Sequence, residues 1–132
     1  MDAIALLRND HRTVERLFKQ FEKAGPNAHK TKRQVADRIV EELSVHAVIE
    51  EQVFYPAVRE AVPDAEDDVL EGLEEHHLVK WTLAEVETMD PEHERFVPKM
   101  TVLIENVRHH VEEEEGELFP TVREAMTRKQ LA

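Results

Sequence analysis

The strongest constraint on the fold is an internal repeat, in which one short stretch recurs later in the chain with the same chemistry. The stretch His46–Pro56 reads HAVIEEQVFYP, and His110–Pro120 reads HVEEEEGELFP, at a constant offset of 64 residues from 46 to 110. Each copy places a glutamate, Glu50 or Glu114, four residues after its histidine. On a helix such positions share one face, so each copy directs an imidazole and a carboxylate the same way. The repeat therefore predicts two similar halves that each contribute one His–Glu pair.

Apolar residues recur at three-to-four spacing along four stretches of the chain, which predicts four long amphipathic helices. The helices are predicted to be separated at Gly25-Pro26, Pro63 and Asp90-Pro91. The fourth helix is predicted to end at the basic residues Arg128-Lys129. Four such helices joined by short turns pack most simply as an all-α, up-down-up-down four-helix bundle. The length of 132 residues is enough for one domain over residues 1–132 but hardly for two.

Several histidines stand on the predicted buried faces, where apolar residues would be expected. The chain has eight histidines and no cysteine. His11 follows Asp10 in the first predicted helix, and His76 follows Glu75 at the matching place in the third. His77 is an alternative to His76, because its spacing to Trp81 is also helical. The candidate metal ligands are His11, His46, Glu50, His76 (or His77), His110 and Glu114.

Four imidazoles and two carboxylates on one bundle interior would form a nitrogen and oxygen site. Such ligands suit iron, manganese or zinc better than magnesium or calcium. Six side chains are too many for one tetrahedral zinc ion, and they suit two adjacent ions bridged by the carboxylates. Two six-coordinate ions need about twelve bonds, of which these ligands and one bridging oxide or hydroxide supply about ten. The remaining positions could take dioxygen, peroxide, nitric oxide or water.

Tyr55 has two interpretations. An ideal helix places Tyr55 opposite His46 and away from a metal, as a packed aromatic residue like its counterpart Phe119. Pro56, however, removes a backbone donor and should bend the helix just after Glu50. Tyr55 could then bind a metal ion or donate a hydrogen bond to the bridging oxygen.

Further acidic residues accompany the repeated histidines and glutamates. Glu51 and Glu115 occupy equivalent positions in the two copies, which is compatible with hydrogen bonds to the ligands. The alternative is that Glu115, together with Glu112 and Glu113, belongs to a solvated helix face.

The ordered motifs resemble those of the hemerythrin-like (HHE cation-binding) family over nearly the whole chain. They are Asp10-His11, His46-x3-Glu50-Glu51, Glu75-His76 and His110-x3-Glu114-Glu115 followed by Phe119-Pro120. The resemblance implies a four-helix bundle with a non-haem di-iron centre, two irons joined by an oxo or hydroxo bridge. It also implies that the six candidate residues, with His76 rather than His77, are the iron ligands.

The order of four histidines and two glutamates is similar to that of the nitric-oxide-responsive iron–sulfur repair proteins and, as the preferred match, to that of the short actinobacterial hemerythrin-like proteins. It departs from the five histidines and two carboxylates of hemerythrins proper. The resemblance therefore implies reaction with hydrogen peroxide, in a catalase-like manner, or with nitric oxide. The alternative is a carrier or sensor that binds oxygen or iron without turnover.

The overall charge and the lack of a long apolar stretch bear on which partners and which location we expect. The net charge of −12 disfavours binding to nucleic acid and to anionic lipid surfaces. No stretch is long and apolar enough for a membrane span, and the N-terminus lacks a secretory signal. We therefore expect a cytoplasmic protein, a monomer or weak homodimer, whose partners are small molecules such as hydrogen peroxide, oxygen or nitric oxide.

Overall fold

The computed structural model describes residues 2–126 and Leu131, and this part of the chain is all-α, as predicted. The helices are α1 (Ala3–Lys23), α2 (His29–Ile49), α3 (Tyr55–Ala61), α4 (Glu66–Glu87), α5 (Phe96–Glu113) and α6 (Phe119–Ala125). One short 3₁₀ turn, Pro63–Ala65, leads into α4. The predicted basic end at Arg128-Lys129 lies outside the described residues.

Four long helical segments form the predicted four-helix bundle. Helix α1 packs against α2, α2 against α4, and α4 against α5. The guanidinium of Arg108 on α5 closes the bundle by binding two carboxylates of α1, Glu15 at 2.8 Å and Glu22 at 2.9 Å. All four helices therefore face one common interior.

The N-terminus of α1 is fixed by Asp2. Its Oδ1 accepts a hydrogen bond from the backbone N–H of Ala5 at 2.9 Å, which satisfies one of the free donors of the first turn. The same carboxylate binds Arg123 of α6 at 2.6 Å. Asp2 therefore joins the first described helix to the last.

A π-helical turn interrupts each of the two repeated stretches, at Glu50–Phe54 and at Glu114–Leu118. The backbone N–H of Tyr55 donates to the carbonyl of Glu50, five residues earlier, and Phe119 donates to Glu114 in the same way. A proline follows each turn and could not continue an α-helical ladder, because its ring would clash with the carbonyl four residues back. Where the sequence predicted a bend after Glu50, the structure has a wider helical turn.

The apolar interior is divided into two clusters with a polar layer between them. On α1, His11 lies between Leu7 of one cluster and Val14 of the other. On the last long segment, Val107 of α5 belongs to the cluster of Val14, and Leu118, the final residue of the π turn, belongs to the cluster of Leu7. The apolar clusters on both sides hold the intervening histidines and glutamates at one level of the bundle.

Candidate metal centre

The structure brings all six candidate ligands together in the layer between the two apolar clusters. Each of the six residues is buried, with Glu50 fully inaccessible to solvent. They are His11 on α1, His46 on α2, His76 on α4, His110 on α5, and Glu50 and Glu114 at the first positions of the two π turns. His77 is exposed and lies outside this group, so the structure places His76 rather than His77 at the centre.

The donor atoms form two overlapping groups, each suited to one cation. The first group combines His11, His46, Glu50 and Glu114, and the second combines Glu50 with His76 and His110. Within each group the donor atoms lie within 4.8 Å of one another. Glu50 belongs to both groups, which is the position of a bridging carboxylate.

The distances show how the two glutamates face the imidazoles. Oε1 of Glu50 lies 3.0 Å from Nε2 of His46 and 3.1 Å from Nε2 of His76. The two oxygens of Glu114 divide between the groups, with Oε1 3.2 Å from Nε2 of His11 and Oε2 3.1 Å from Nε2 of His110. Each carboxylate therefore touches both halves of the centre.

The outward ring nitrogen of every clustered histidine meets a carboxylate on the neighbouring helix. Nδ1 of His46 binds Asp10 at 3.0 Å, and Nδ1 of His110 binds Glu75 at 2.7 Å. Nδ1 of His76 binds Glu51 at 2.9 Å, and Nδ1 of His11 binds Glu115 at 2.8 Å. We call these four acids the carboxylate ring. In each case Nδ1 donates a hydrogen bond to a carboxylate. The lone pair of Nε2 therefore faces inward, where it is available to a metal ion.

Each member of the carboxylate ring is adjacent in sequence to a clustered residue. Asp10 and Glu75 directly precede a histidine, and Glu51 and Glu115 directly follow a glutamate. The sequence pattern had suggested such a role for Glu51 and Glu115, but it gave none to Asp10 and Glu75. The acid that directly precedes His11 and the acid that directly precedes His76 were the signal that could have identified them.

Several inward-facing nitrogen and oxygen atoms of the centre lack hydrogen-bond partners, which bound cations would provide. Five buried atoms of the centre have no hydrogen-bond partner: Nε2 of His11, Nε2 of His46, both oxygens of Glu50, and Oε1 of Glu114. Buried polar atoms without partners are costly, and they are rare in folded proteins. Cations bound at this level would coordinate these atoms, and the set of nitrogen and oxygen donors suits iron.

The electrostatics of the metal-free centre favour positive charge. Burial lowers the pKa of His46, but the carboxylate of Glu50 beside it outweighs burial and raises the pKa to about 9. Burial likewise opposes protonation of His110, and Glu114 raises its pKa to about 10. The buried carboxylates therefore favour positive charge at this level, which either a proton or a metal ion could supply.

Tyr55 lies at the centre, because the π turn changes the phase of the helix just before it. The side chain is buried, and its hydroxyl donates a hydrogen bond to Oε2 of Glu114 at 2.7 Å. The hydroxyl oxygen of Tyr55 also lies 3.4 Å from Nε2 of His110. Burial and the negative charges of Glu50 and Glu114 raise the pKa of Tyr55, so the metal-free protein holds the hydroxyl proton.

The equivalent position in the second half is an aromatic ring without a hydroxyl. Phe119 stacks on the imidazole of His11, with ring centroids 6.0 Å apart and planes within 3° of parallel. The two candidate metal positions therefore differ, since only the side of His76 and His110 has a phenol nearby.

An apolar cavity of about 40 Å³ lies against the imidazoles on the side away from Tyr55. Its wall includes the four clustered histidines and the side chains of Val14, Leu43, Leu83 and Val107. This volume accommodates a molecule of a few atoms. The cavity gives a small uncharged molecule a mostly apolar place beside the inward nitrogens.

Comparison with known proteins agrees with this geometry. Residues 2–122 match the family model of the hemerythrin HHE cation binding domain. The chain therefore belongs to the hemerythrin HHE cation-binding family, as its motifs predicted. The fold and the buried cluster of histidines and glutamates make it a metal-binding member of the helical-bundle class.

Two curated relatives are considerably longer than this chain. A hemerythrin-like protein of Schizosaccharomyces pombe is 27% identical over 122 residues, which cover 92% of this chain and 59% of that protein. A protein of Nostoc named DNA nickase is 29% identical over 125 residues, which cover 95% of this chain and 34% of that protein. No solved structure gives a significant match.

No described helix combines the length and the apolar content that a membrane crossing requires.

Proposed function

We propose that the six clustered residues hold two iron ions joined by an oxo or hydroxo bridge, and that this centre reacts with hydrogen peroxide or nitric oxide. The observation that carries the proposal is the pair of overlapping donor groups that share Glu50. One tetrahedral zinc ion would leave part of this donor set unused, whereas two six-coordinate irons would use all of it. The proposed ligands are His11, His46, Glu50, His76, His110 and Glu114.

Once bound, the iron pair would supply two-electron redox chemistry to a small molecule. The chain's own residues determine where that chemistry occurs. Glu50 and Glu114 each reach both halves of the centre, so they hold the two positions close together. The carboxylate ring fixes the orientation of the imidazoles and keeps Nε2 available.

Tyr55 would act directly at the reacting centre. Its hydroxyl holds a proton next to Glu114, and it could donate that proton in a hydrogen bond to the oxygen that would bridge the irons. A nearby cation reverses the electrostatics that raise its pKa, and it would favour the phenolate as a ligand. Both roles place the oxygen of Tyr55 on the side of His110.

The apolar cavity supports a small, uncharged substrate. Hydrogen peroxide, nitric oxide and dioxygen all satisfy this condition at neutral pH, and all fit a space of about 40 Å³. The nickase activity named for the Nostoc relative belongs to a much longer protein, and the net charge of −12 on this chain disfavours contact with a phosphate backbone.

The decisive test combines iron analysis, absorption spectroscopy and gas evolution after addition of hydrogen peroxide to protein purified in air. We expect two irons per chain, absorption from the bridged pair and release of oxygen. The adjacent histidines offer a matched control: His76→Asn should lose iron, and His77→Asn, at an exposed position, should keep it. Two irons without gas would favour nitric oxide chemistry, carriage or sensing, and protein without iron would refute the proposal.

A further inference from the structure

A second cavity, of about 50 Å³, opens between α4 and the end of α5, on the opposite side of the imidazoles from the apolar cavity. Six carboxylates line it: the buried Glu114 and, beside it, Asp68, Glu71, Glu75, Glu113 and Glu117. We call this cavity the acidic vestibule. Its lining contains no lysine or arginine among the described residues, so the acids far outnumber its one basic side chain, His110.

The inner end of the acidic vestibule is the metal centre itself. Tyr55, His110 and Glu114 form its inner wall, and Glu114 is buried with one oxygen that lacks a hydrogen-bond partner. Gly72 keeps this end open, because a Cβ atom there would lie 3.0 Å from the Tyr55 hydroxyl and 3.4 Å from Cε1 of His110. The carboxylates thus lead from solvent to the candidate ligands.

A three-residue cluster at this vestibule could hold a cation on the way in. Nε2 of His109 lies 2.8 Å from Glu113 and 4.0 Å from Glu75, and these three residues could together ligate a metal ion. The other oxygen of Glu75 binds Nδ1 of His110 at 2.7 Å. Glu75 therefore connects the half-exposed outer cluster to a ligand of the buried centre.

We propose that the acidic vestibule is the route by which divalent metal ions reach the buried centre, with Glu75, His109 and Glu113 as the outer binding position. This inference depends on the proposed metal centre. A channel lined by one sign of charge concentrates ions of the opposite sign and accelerates their association. The apolar cavity offers a hydrated cation no comparable contacts, so ions and small uncharged substrates use different sides of the imidazoles.

The test measures the rate at which metal-free protein takes up Co²⁺, followed by its visible absorption, or Fe²⁺ without oxygen. The vestibule variant carries Glu71→Gln, Glu113→Gln and Glu117→Gln. The control carries Glu41→Gln, Glu60→Gln and Glu105→Gln, at exposed positions outside the vestibule. Both variants remove three negative charges, so only the location of the charge differs.

We expect the vestibule variant to take up metal roughly tenfold more slowly than the wild type, with the same final stoichiometry. The control should remain within about twofold of the wild type. Added salt should slow the wild type more than the vestibule variant, because screening acts on the charges that attract the ion. A single His109→Asn substitution should also slow uptake while leaving the final stoichiometry intact.

Equal uptake rates in the vestibule variant and the control, with full final occupancy, would overturn the vestibule and leave the proposed function standing. A wild-type protein that takes up no metal would instead refute the proposed function and the vestibule together. Unchanged helicity by circular dichroism would show that slower uptake is not caused by unfolding.

Discussion

At the scale of single residues, the clustered histidines have their two ring nitrogens committed in opposite directions. Nδ1 faces a carboxylate of the carboxylate ring, and Nε2 faces the centre, for example at 3.0 Å from Glu50 in the case of His46. Such outer partners fix the tautomer and raise the basicity of the ligand nitrogen. The affinity of the centre should therefore depend on residues that do not touch the metal.

The carboxylate ring can be tested by neutralising one member. We expect Glu51→Gln to lower metal affinity about 10- to 100-fold, because an amide no longer orients and polarises His76 as a carboxylate does. Competition with a chelator of known affinity measures the effect. Glu112→Gln, at an exposed position, is the control and should leave the affinity unchanged. Equal affinities for the two variants would show that the ring only packs against the histidines.

Tyr55→Phe removes only the hydroxyl and keeps the aromatic ring. The equivalent residue in the other half, Phe119, shows that this position accommodates phenylalanine. If Tyr55 is an iron ligand, the iron-loaded protein should have a low-energy visible absorption band that the variant lacks. If Tyr55 only donates a hydrogen bond, the band should be absent from both proteins and the rate of peroxide reaction should fall, about 10-fold or more for a lost proton donor. Unchanged colour and unchanged reactivity would exclude both roles.

The sequence predicted the six clustered positions because each lies on a regular apolar face. The partners of Asp10 and Glu75 could not be predicted in the same way. Asp10 contacts His46, which is 36 residues away, and Glu75 contacts His110, which is 35 residues away. These contacts depend on which helices are neighbours and on how far each is rotated, and helical periodicity alone does not specify either.

At the scale of helices and turns, the π turn before Tyr55 explains why the position predicted from an ideal α-helix is wrong for this residue. A uniform α-helix would turn Tyr55 away from His46, whereas a turn closed by the bond from Tyr55 to the Glu50 carbonyl brings the phenol back towards the centre. The prolines indicate that the regular ladder ends there. They do not indicate whether the chain bends, breaks or widens, because all three avoid the same clash.

The link between α1 and α6 predicts a pH dependence. The hydrogen bond from Arg123 holds the pKa of Asp2 at about 2, below its usual 3.8. A lowered pKa means that the ion pair contributes to stability above about pH 3.8, and that this contribution is lost as the pH falls through about 2. Asp2→Asn keeps an acceptor for the helix cap but removes the charge.

We therefore expect Asp2→Asn to unfold at a lower urea concentration than the wild type at pH 7, and the difference to shrink steadily as the pH approaches 2. Arg123→Gln should behave in the same way, because it removes the other partner of the pair. A difference that is constant over this pH range would show that the cap, and not the ion pair, determines the stability of this end.

At the scale of the whole molecule, a layer of six buried ionisable residues separates the two apolar clusters. Without metal, the layer contains carboxylate oxygens and ring nitrogens that lack partners, which weakens the middle of the bundle. Metal that binds only the folded chain adds its binding free energy to the stability.

Removal of metal should consequently lower the melting temperature. A ligand present at about 100 times its dissociation constant stabilises a protein by about 2.7 kcal/mol, which corresponds to roughly 10 °C for a domain of this size. Thermal unfolding with and without a chelator measures the difference. The Glu50→Gln variant, which alters the shared ligand, should melt at nearly the same temperature in both conditions. Identical melting of the wild type with and without metal would contradict the assignment of the centre.

The carboxylate ring has a consequence for symmetry. Its contacts occur in equivalent pairs: Asp10 to His46 and Glu75 to His110 within the halves, and Glu51 to His76 and Glu115 to His11 between them. This is the contact pattern of a two-fold homodimer, in which every contact is made twice. A dimer of identical half-length chains would have two identical candidate metal positions. A single chain that contains both halves can carry different residues at equivalent positions. In this protein, Tyr55 in one half corresponds to Phe119 in the other.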